Sequence, residues 1–155
     1  MSDKITYLDI KLAIVRFYNK RQNMIIPNYY INFGTSKNHE CDLIIVRPSG
    51  YAEEVEIKMN KADLKADMSK KHGHVDERLK YLYFAMPEEL YLDCQELIPS
   101  DAGCYTVSKY KGNYWVRCER IAPKKSCRKL TIEEQLKIAK SGVMRIWNLK
   151  EKSNI

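Results

Sequence analysis

His39-Glu40-Cys41-Asp42-Leu43-Ile44-Ile45-Val46, a turn at Pro48-Ser49-Gly50, and then Glu54-Val55-Glu56-Ile57-Lys58 decide how this chain is read. Apolar and polar positions alternate with period two in both runs, which marks two half-buried strands joined by turn residues. On the second run Glu54, Glu56 and Lys58 fall on one face, and Val55 and Ile57 on the other. An aspartate early on one strand and a Glu-x-Lys on its hairpin partner can meet at one point. Two carboxylates there hold a hard divalent cation, and an ammonium sits beside it. That is the minimum equipment for metal-assisted phosphodiester hydrolysis.

An acid-x-Lys triplet is common in so charged a chain. It recurs at Asp9-Ile10-Lys11 and Asp63-Leu64-Lys65, where helical spacing turns its members in different directions. Only Glu56-Ile57-Lys58 lies on an alternating strand directly after another strand with an early acid. The plain alternative is a solvated strand face with an incidental ion pair. Glu40 shares the parity of Asp42 and ranks below it as an accessory metal ligand. Asp9, inside the first helix, is a further accessory acid or else a solvent-facing charge.

At 155 residues the chain fits one domain with a single core, expected over residues 1–150, with residues 151–155 frayed. No apolar run approaches the ~18 residues of a membrane span, and Met1-Ser2-Asp3-Lys4 has no signal-peptide character. The five cysteines, at 41, 94, 104, 118 and 127, form no Cys-x-x-Cys pair. A structural zinc site and a disulfide framework are both disfavoured, and the thiols read as reduced residues of a cytoplasmic protein. The net charge of +7 is segregated: Lys109 to Lys129 holds eight bases and one acid, whereas Ala85 to Gly103 holds five acids and no base. Clustered basic charge is the footprint of a nucleic-acid binder. Lys124, Lys125, Arg128 and Lys129 are therefore candidate phosphate contacts, with Tyr110, Tyr114 and Trp115 interleaved nearby as core residues or stacking platforms.

Apolar spacing predicts a helix from Asp3 to about Asn19, a first strand from Tyr29 to Phe33, and a helix from Lys61 to about Lys71. Lys61 and Lys65, at the start of that second helix, suit phosphate oxygens. His72 and His74 flank Gly73 in a loop and are expected to be exposed. Lys80 to Met86 is a buried strand, and Pro87-Glu88-Glu89 opens a helix to about Leu97. Strands follow at Cys104 to Ser108 and, after Lys111-Gly112-Asn113, at Tyr114 to Ile121. Thr131 and Glu134 form a capping box for a last helix. Its apolar stripe, Ile132, Leu136, Ala139, Val143 and Ile146, is expected to pack on the sheet, with a homodimer seam as its alternative use.

The ordered string from about Cys41 to Val107 resembles the PD-(D/E)xK, restriction-endonuclease-like superfamily, and within it the MmcB family of DNA-repair proteins. The resemblance rests on the Asp42 strand, Val55-Glu56-Ile57-Lys58, and the polar run Lys61-Ala62-Asp63-Leu64-Lys65-Ala66-Asp67. It continues in Tyr83-Phe84-Ala85-Met86-Pro87-Glu88-Glu89-Leu90 and Asp101-Ala102-Gly103-Cys104-Tyr105. Cys41 stands where the superfamily's proline would precede Asp42, a position where proline is often absent. The resemblance implies an αβββαβ core of α/β (α+β) class, with helices on a central mixed sheet. It further implies a Mg²⁺- or Mn²⁺-dependent hydrolase, a DNA endonuclease of repair or structure processing. Asp42, Glu56 and the Ile57 carbonyl would hold the cation, and Lys58 would orient the attacking water. A nuclease-like fold that binds nucleic acid without cutting it is the alternative. No base-reading element separates DNA from RNA.

Overall fold

The computed structural model of the chain describes residues 4–32, 38–68 and 77–153. Helix α1 (Tyr7–Phe17) starts at Thr6 rather than Asp3. The Thr6 hydroxyl accepts from the Asp9 amide at 3.1 Å and the Asp9 carboxylate accepts from the Thr6 amide at 2.8 Å, a reciprocal capping box. Three antiparallel strands follow: β1 (Met24–Asn32), β2 (Asn38–Val46) and β3 (Ala52–Ile57). β1 begins ahead of the predicted Tyr29 and runs through Pro27, which an edge strand tolerates because its outer amides need no ladder partner.

Helix α2 (Lys61–Met68) crosses to β4 (Leu79–Pro87), parallel to β3. Helix α3 (Glu88–Cys94) and a 3-10 turn (Gln95–Leu97) lead to β5 (Gly103–Tyr110), parallel to β4. β6 (Asn113–Arg120) returns antiparallel through Lys111 and Gly112, both at positive φ (49° and 76°), the geometry of a two-residue hairpin turn. The last helix is α4 (Ile132–Ser153). One mixed six-stranded sheet in the order β1-β2-β3-β4-β5-β6 results, an α+β fold whose elements run αβββαβ through β4.

Strand alternation sends Leu43, Ile45, Val55, Ile57, Tyr83 and Ala85 to one face, under Ile10, Ala13 and Ile14 of α1. The other face is covered at β4 and β5 by Leu64 of α2 and Cys94 of α3, which pack on Leu82, Phe84, Met86 and Cys104. At β1 and β2 it is covered by Ile138 of α4, over Ile26, Ile31, Ile44 and Val46.

Two expectations are corrected, and a third gains a structural role beside it. The α4 stripe does not pack on the sheet: Ile132, Leu136, Val143 and Ile146 are exposed, and the sheet-facing side is built on Ile138 and Gly142. A Cβ at Gly142 would lie 2.5 Å from Ile26 Cδ1, so the glycine permits the close approach of α4 to β1. α4 also continues through Ser153, whose hydroxyl donates to the Leu149 carbonyl at 2.6 Å, instead of fraying from Glu151. Lys150 and Lys152 in its last turn suit the negative end of the helix dipole.

Third, the basic stretch at 121–131 is a strap across the amino ends of β3 and β4. Leu130 N donates to Gly50 O, Lys125 N to Lys80 O, and Arg128 N to Glu77 O. Arg128 pairs with Glu77 at 3.1 Å and Glu134 at 2.7 Å, and Lys125 with Asp101 at 3.3 Å. These two cations, expected as phosphate contacts, also pair with acids of this chain, one of them from the acidic Ala85–Gly103 segment.

Asp9 fastens α1 to β6. Besides closing the capping box it accepts from the Tyr114 hydroxyl at 2.6 Å and lies 3.4 Å from Lys109 Nζ. The Tyr114 bond, then the Thr6 amide, hold its carboxyl down at about 2. A depressed folded-state pKa stabilises above the unfolded value, and that stability is lost as pH falls toward the folded one. Asp9→Ala should cost about 1–2 kcal/mol at neutral pH. In urea unfolding the gap to the parent protein should close between roughly pH 4 and pH 2; a gap independent of pH would contradict the assignment.

Candidate active site

The β2–β3 ladder ends at Leu43 with Val55, so the strands carry no ladder pair at Asp42 and Glu56. On the other side of β2, the ladder to β1 skips Asn28, which sits at φ 51° opposite Asp42. In this gap the Asp42 carboxylate turns to the neighbouring backbone: Oδ2 accepts from the Ile57 amide at 2.7 Å and Oδ1 from the Tyr7 hydroxyl of α1 at 2.8 Å. Lys11, on the same helix, donates to Asn28 Oδ1 at 2.8 Å, and burial lowers its pKa, against the raising charge of Asp42. Asp42 thus grips the peptide that follows Glu56.

Glu56 points to the α2 face, where a buried charged cluster gathers. Glu54, Glu56, Lys58 and Asp67 are all buried; on β3 they alternate with Val55 and Ile57, and Asp67 comes from α2, three residues after the core residue Leu64. Lys58 Nζ donates to Asp67 Oδ1 at 3.2 Å, stands 3.6 Å from Glu56 Oε2, and lies over the Phe84 ring. Lys58 is just past β3, but its amide still donates to Ala85 O at 2.9 Å, which fixes the direction of its side chain. His39 Nε2 bonds Glu54 Oε1 and lies 3.5 Å from Glu56 Oε1. Glu56 Oε1 makes no hydrogen bond among the described residues.

Burying several carboxylates with one lysine is costly unless a further positive charge is present. The pKa values reflect this. Burial raises Glu56 to about 7, against the pull of His39 3.5 Å away, with the Glu54 and Asp42 charges adding to the rise. Burial lowers His39, but its bond to Glu54 and the Glu56 carboxylate 3.5 Å away outweigh that and bring it up to about 9. Burial, then the charges of Glu54 and Glu56, push the Cys41 thiol well above its ordinary range. Asp42 and Glu56 thus adjoin the same stretch of β3 with different partners: both Asp42 oxygens accept hydrogen bonds, from Tyr7 of α1 and the Ile57 amide, whereas Glu56 lies with His39 and Lys58 on the α2 face. Carboxylates and a peptide carbonyl are the donor chemistry of a hard cation, but one ion between them requires Asp42 to give up a present bond.

The remaining predicted residues distribute as follows. Glu40 is exposed and bonds Asn28 Nδ2 at 2.8 Å, near Asp42 but turned toward β1. Asp9 is away from the site, in the α1–β6 joint. Lys61 and Lys65 are exposed on α2; Lys61 lines a cleft of about 640 Å³ with Lys4, Asn60, Glu88 and Lys109, at the carboxyl ends of the parallel strands. Lys124, Lys125, Arg128 and Lys129 belong to the strap at the opposite ends of β3 and β4, roughly a strand length of ~20 Å away. His72 and His74 lie outside the described residues. Sequence reading passed over His39, Cys41, Glu54 and Asp67 as site members. Two signals were present: His39-x-Cys41 shares a strand face, and Asp67 falls three residues after Leu64 on one helical face.

No family model matches the chain, and no curated protein matches it. Among solved structures, the SPO1766 protein of unknown function from Silicibacter pomeroyi is similar in fold. The two share 19% identity at a TM-score of 0.66, over 96% of this chain and 91% of that one.

Proposed function

We propose that the chain is a Mg²⁺- or Mn²⁺-dependent DNA endonuclease of the PD-(D/E)xK kind, akin to MmcB-family repair proteins and directed at damaged or branched DNA. The observation that carries this reading is the pairing of Lys58 with Glu56 at 3.6 Å in a buried site whose adjoining peptide is held by Asp42. A lysine and an acid on a strand face are ordinary when solvated; buried beside surplus carboxylates they call for a function. Asp42, Glu56 and the Ile57 carbonyl would hold the cation. When bound, the ion supplies Lewis-acid polarisation of a phosphate and a lowered pKa for an attacking water. Lys58 would orient that water and offset charge on the phosphoryl oxygens. Lys61 and Lys65, on the helix that follows the motif, are better placed for phosphates than the strap.

A second reading, a non-catalytic nucleic-acid binder, draws support from Asp67, which lies nearer to Lys58 than Glu56 does. Nuclease assays on duplex, flap, junction and single-stranded DNA separate the two. Asp42→Asn and Glu56→Gln should lower both Mn²⁺ affinity, read by calorimetry, and cleavage. Lys58→Gln should leave the ion bound at least as tightly while cleavage drops by roughly 100-fold or more. Because Lys58 is buried, its removal should also lower stability by about 3 kcal/mol, so folding must be verified by circular dichroism. Wild-type protein that binds DNA and cuts none of these substrates would favour the binder.

We also infer that α4 pairs with a second copy of the chain. Ile132, Leu136, Ala139, Val143 and Ile146 are spaced four-three-four-three, a heptad seam, and Ile132 and Leu136 are 76% and 64% exposed. Acids stand in the first turn, Glu133 and Glu134, and lysines in the last, Lys150 and Lys152. Antiparallel pairing therefore sets opposite charges together at both ends. Sedimentation should show a dimer at tens of micromolar (roughly the range of a modest helix seam), and Leu136→Glu with Val143→Glu should give a folded monomer. A monomeric parent protein at that concentration would refute the seam.

A further inference from the structure

Cys41, with His39 and Glu54, takes no part in the metal-dependent hydrolysis proposed above. It alternates with His39 on β2, so both side chains leave the strand on the face toward Glu54 and Glu56. Ligand atoms of His39, Cys41 and Glu54 all lie within 4.8 Å of one another. Tetrahedral zinc with nitrogen, sulfur and oxygen ligands at about 2.0–2.3 Å sets its donors roughly 3.5 Å apart, so an ion would part the hydrogen-bonded His39–Glu54 pair and draw the wider spacings in. An independent feature points the same way: Glu56 Oε1 is buried, lies 3.5 Å from His39 Nε2, and has no hydrogen bond among the described residues.

We infer that His39, Cys41 and Glu54, with Glu56 Oε1 as fourth donor, form a binding site for a borderline transition ion of the Zn²⁺ class, separate from the hard-cation site at Asp42. Donor chemistry sets the selectivity. Mg²⁺ and Ca²⁺ take oxygen ligands, whereas thiolate with imidazole selects Zn²⁺ and its neighbours. Binding displaces the Cys41 thiol proton and the proton on the ligating His39 nitrogen to solvent, so the ion takes over the positive charge that faces Glu54 and Glu56. A Cys–His nucleophile pair is the competing use of the same residues. It fails on access, because Cys41 is fully buried and Glu54 already holds the His39 ring nitrogen. Glu56, shared between the two sites, makes the zinc-class ion a positioning element for the carboxylate assigned to hydrolysis. This last link rests on the proposed nuclease reading; the binding site itself does not.

Co²⁺ titration tests the site, since tetrahedral cobalt with a thiolate ligand gives a near-ultraviolet charge-transfer band and strong visible bands. The background should be a Cys118→Ser, Cys127→Ser protein, which removes the two thiols that are not buried. One equivalent of Co²⁺ should produce both bands, and Zn²⁺ should bleach them. Cys41→Ser should abolish the charge-transfer band. His39→Gln and Glu54→Gln should each weaken Co²⁺ binding beyond the tenfold or so lost with an outer-shell partner. Asp42→Asn should keep the bands, whether or not the protein cleaves DNA, so loss of the nuclease reading leaves this result standing. Absence of a thiolate band, or a band that survives Cys41→Ser in folded protein, would overturn the site. Should Cys41→Ser fail to fold, retention of full Co²⁺ affinity in His39→Gln would overturn it equally.

Discussion

Lys58 is the tie on which the site depends. Its ammonium joins Asp67 of α2 to Glu56 of β3 inside the protein, and its amide extends the pairing of β3 with β4. Removing one partner from such a set strands the others without compensation, at about 3–5 kcal/mol, yet replacing a whole buried ionic set by apolar residues is often neutral or favourable. Stability alone therefore gives little reason for a strand to bury Glu54, Glu56 and Lys58 where Val and Leu would serve. On the proposed reading, a cluster this costly in the folded state is kept for binding a cation.

The sheet makes room for that cluster by failing to pair. Ladder pairing of β2 with β3 stops at Leu43 and Val55, and the β1–β2 ladder skips Asn28, which has a left-handed backbone, before resuming at Tyr29 and Cys41. Asp42 consequently turns its side chain to the Ile57 amide, and the next positions along β2, Cys41 and His39, are brought over the buried acids. Around this end lie Tyr7 and Lys11 of α1, Asn28 of β1 and Asp67 of α2, so helices from both faces of the sheet reach the same strand terminus. The strap at 121–131 and the Asp9–Tyr114 joint hold regions away from it.

Local patterns carried the fold because they depend on near neighbours. Period-two alternation located β2, β3 and β4, Lys111-Gly112 marked the hairpin, and Thr131 with Glu134 formed the capping box that starts α4. The same logic was available at Thr6 and Asp9, where a threonine followed three residues later by an acid announces a helix start. What pattern cannot supply is the partner of a face. The α4 stripe is apolar at heptad spacing, but Gly142 and Ile138 give α4 its contact with β1 and leave the stripe outside. Likewise a basic run in sequence became a strap, because the acids it pairs with, Glu77, Asp101 and Glu134, come from separate elements. Asp67 and His39 entered the site only through the crossover of α2 and the splay of β2.

Crystals soaked in Mn²⁺ and measured at the manganese absorption edge would test most directly whether the splayed end of β2 and β3 is a metal centre. An anomalous peak in contact with the Asp42 and Glu56 carboxylates and the Ile57 carbonyl is expected, with loss of that peak in Glu56→Gln. Absence of any peak at these oxygens in well-ordered soaked crystals, with manganese found only on exposed acids, would contradict it.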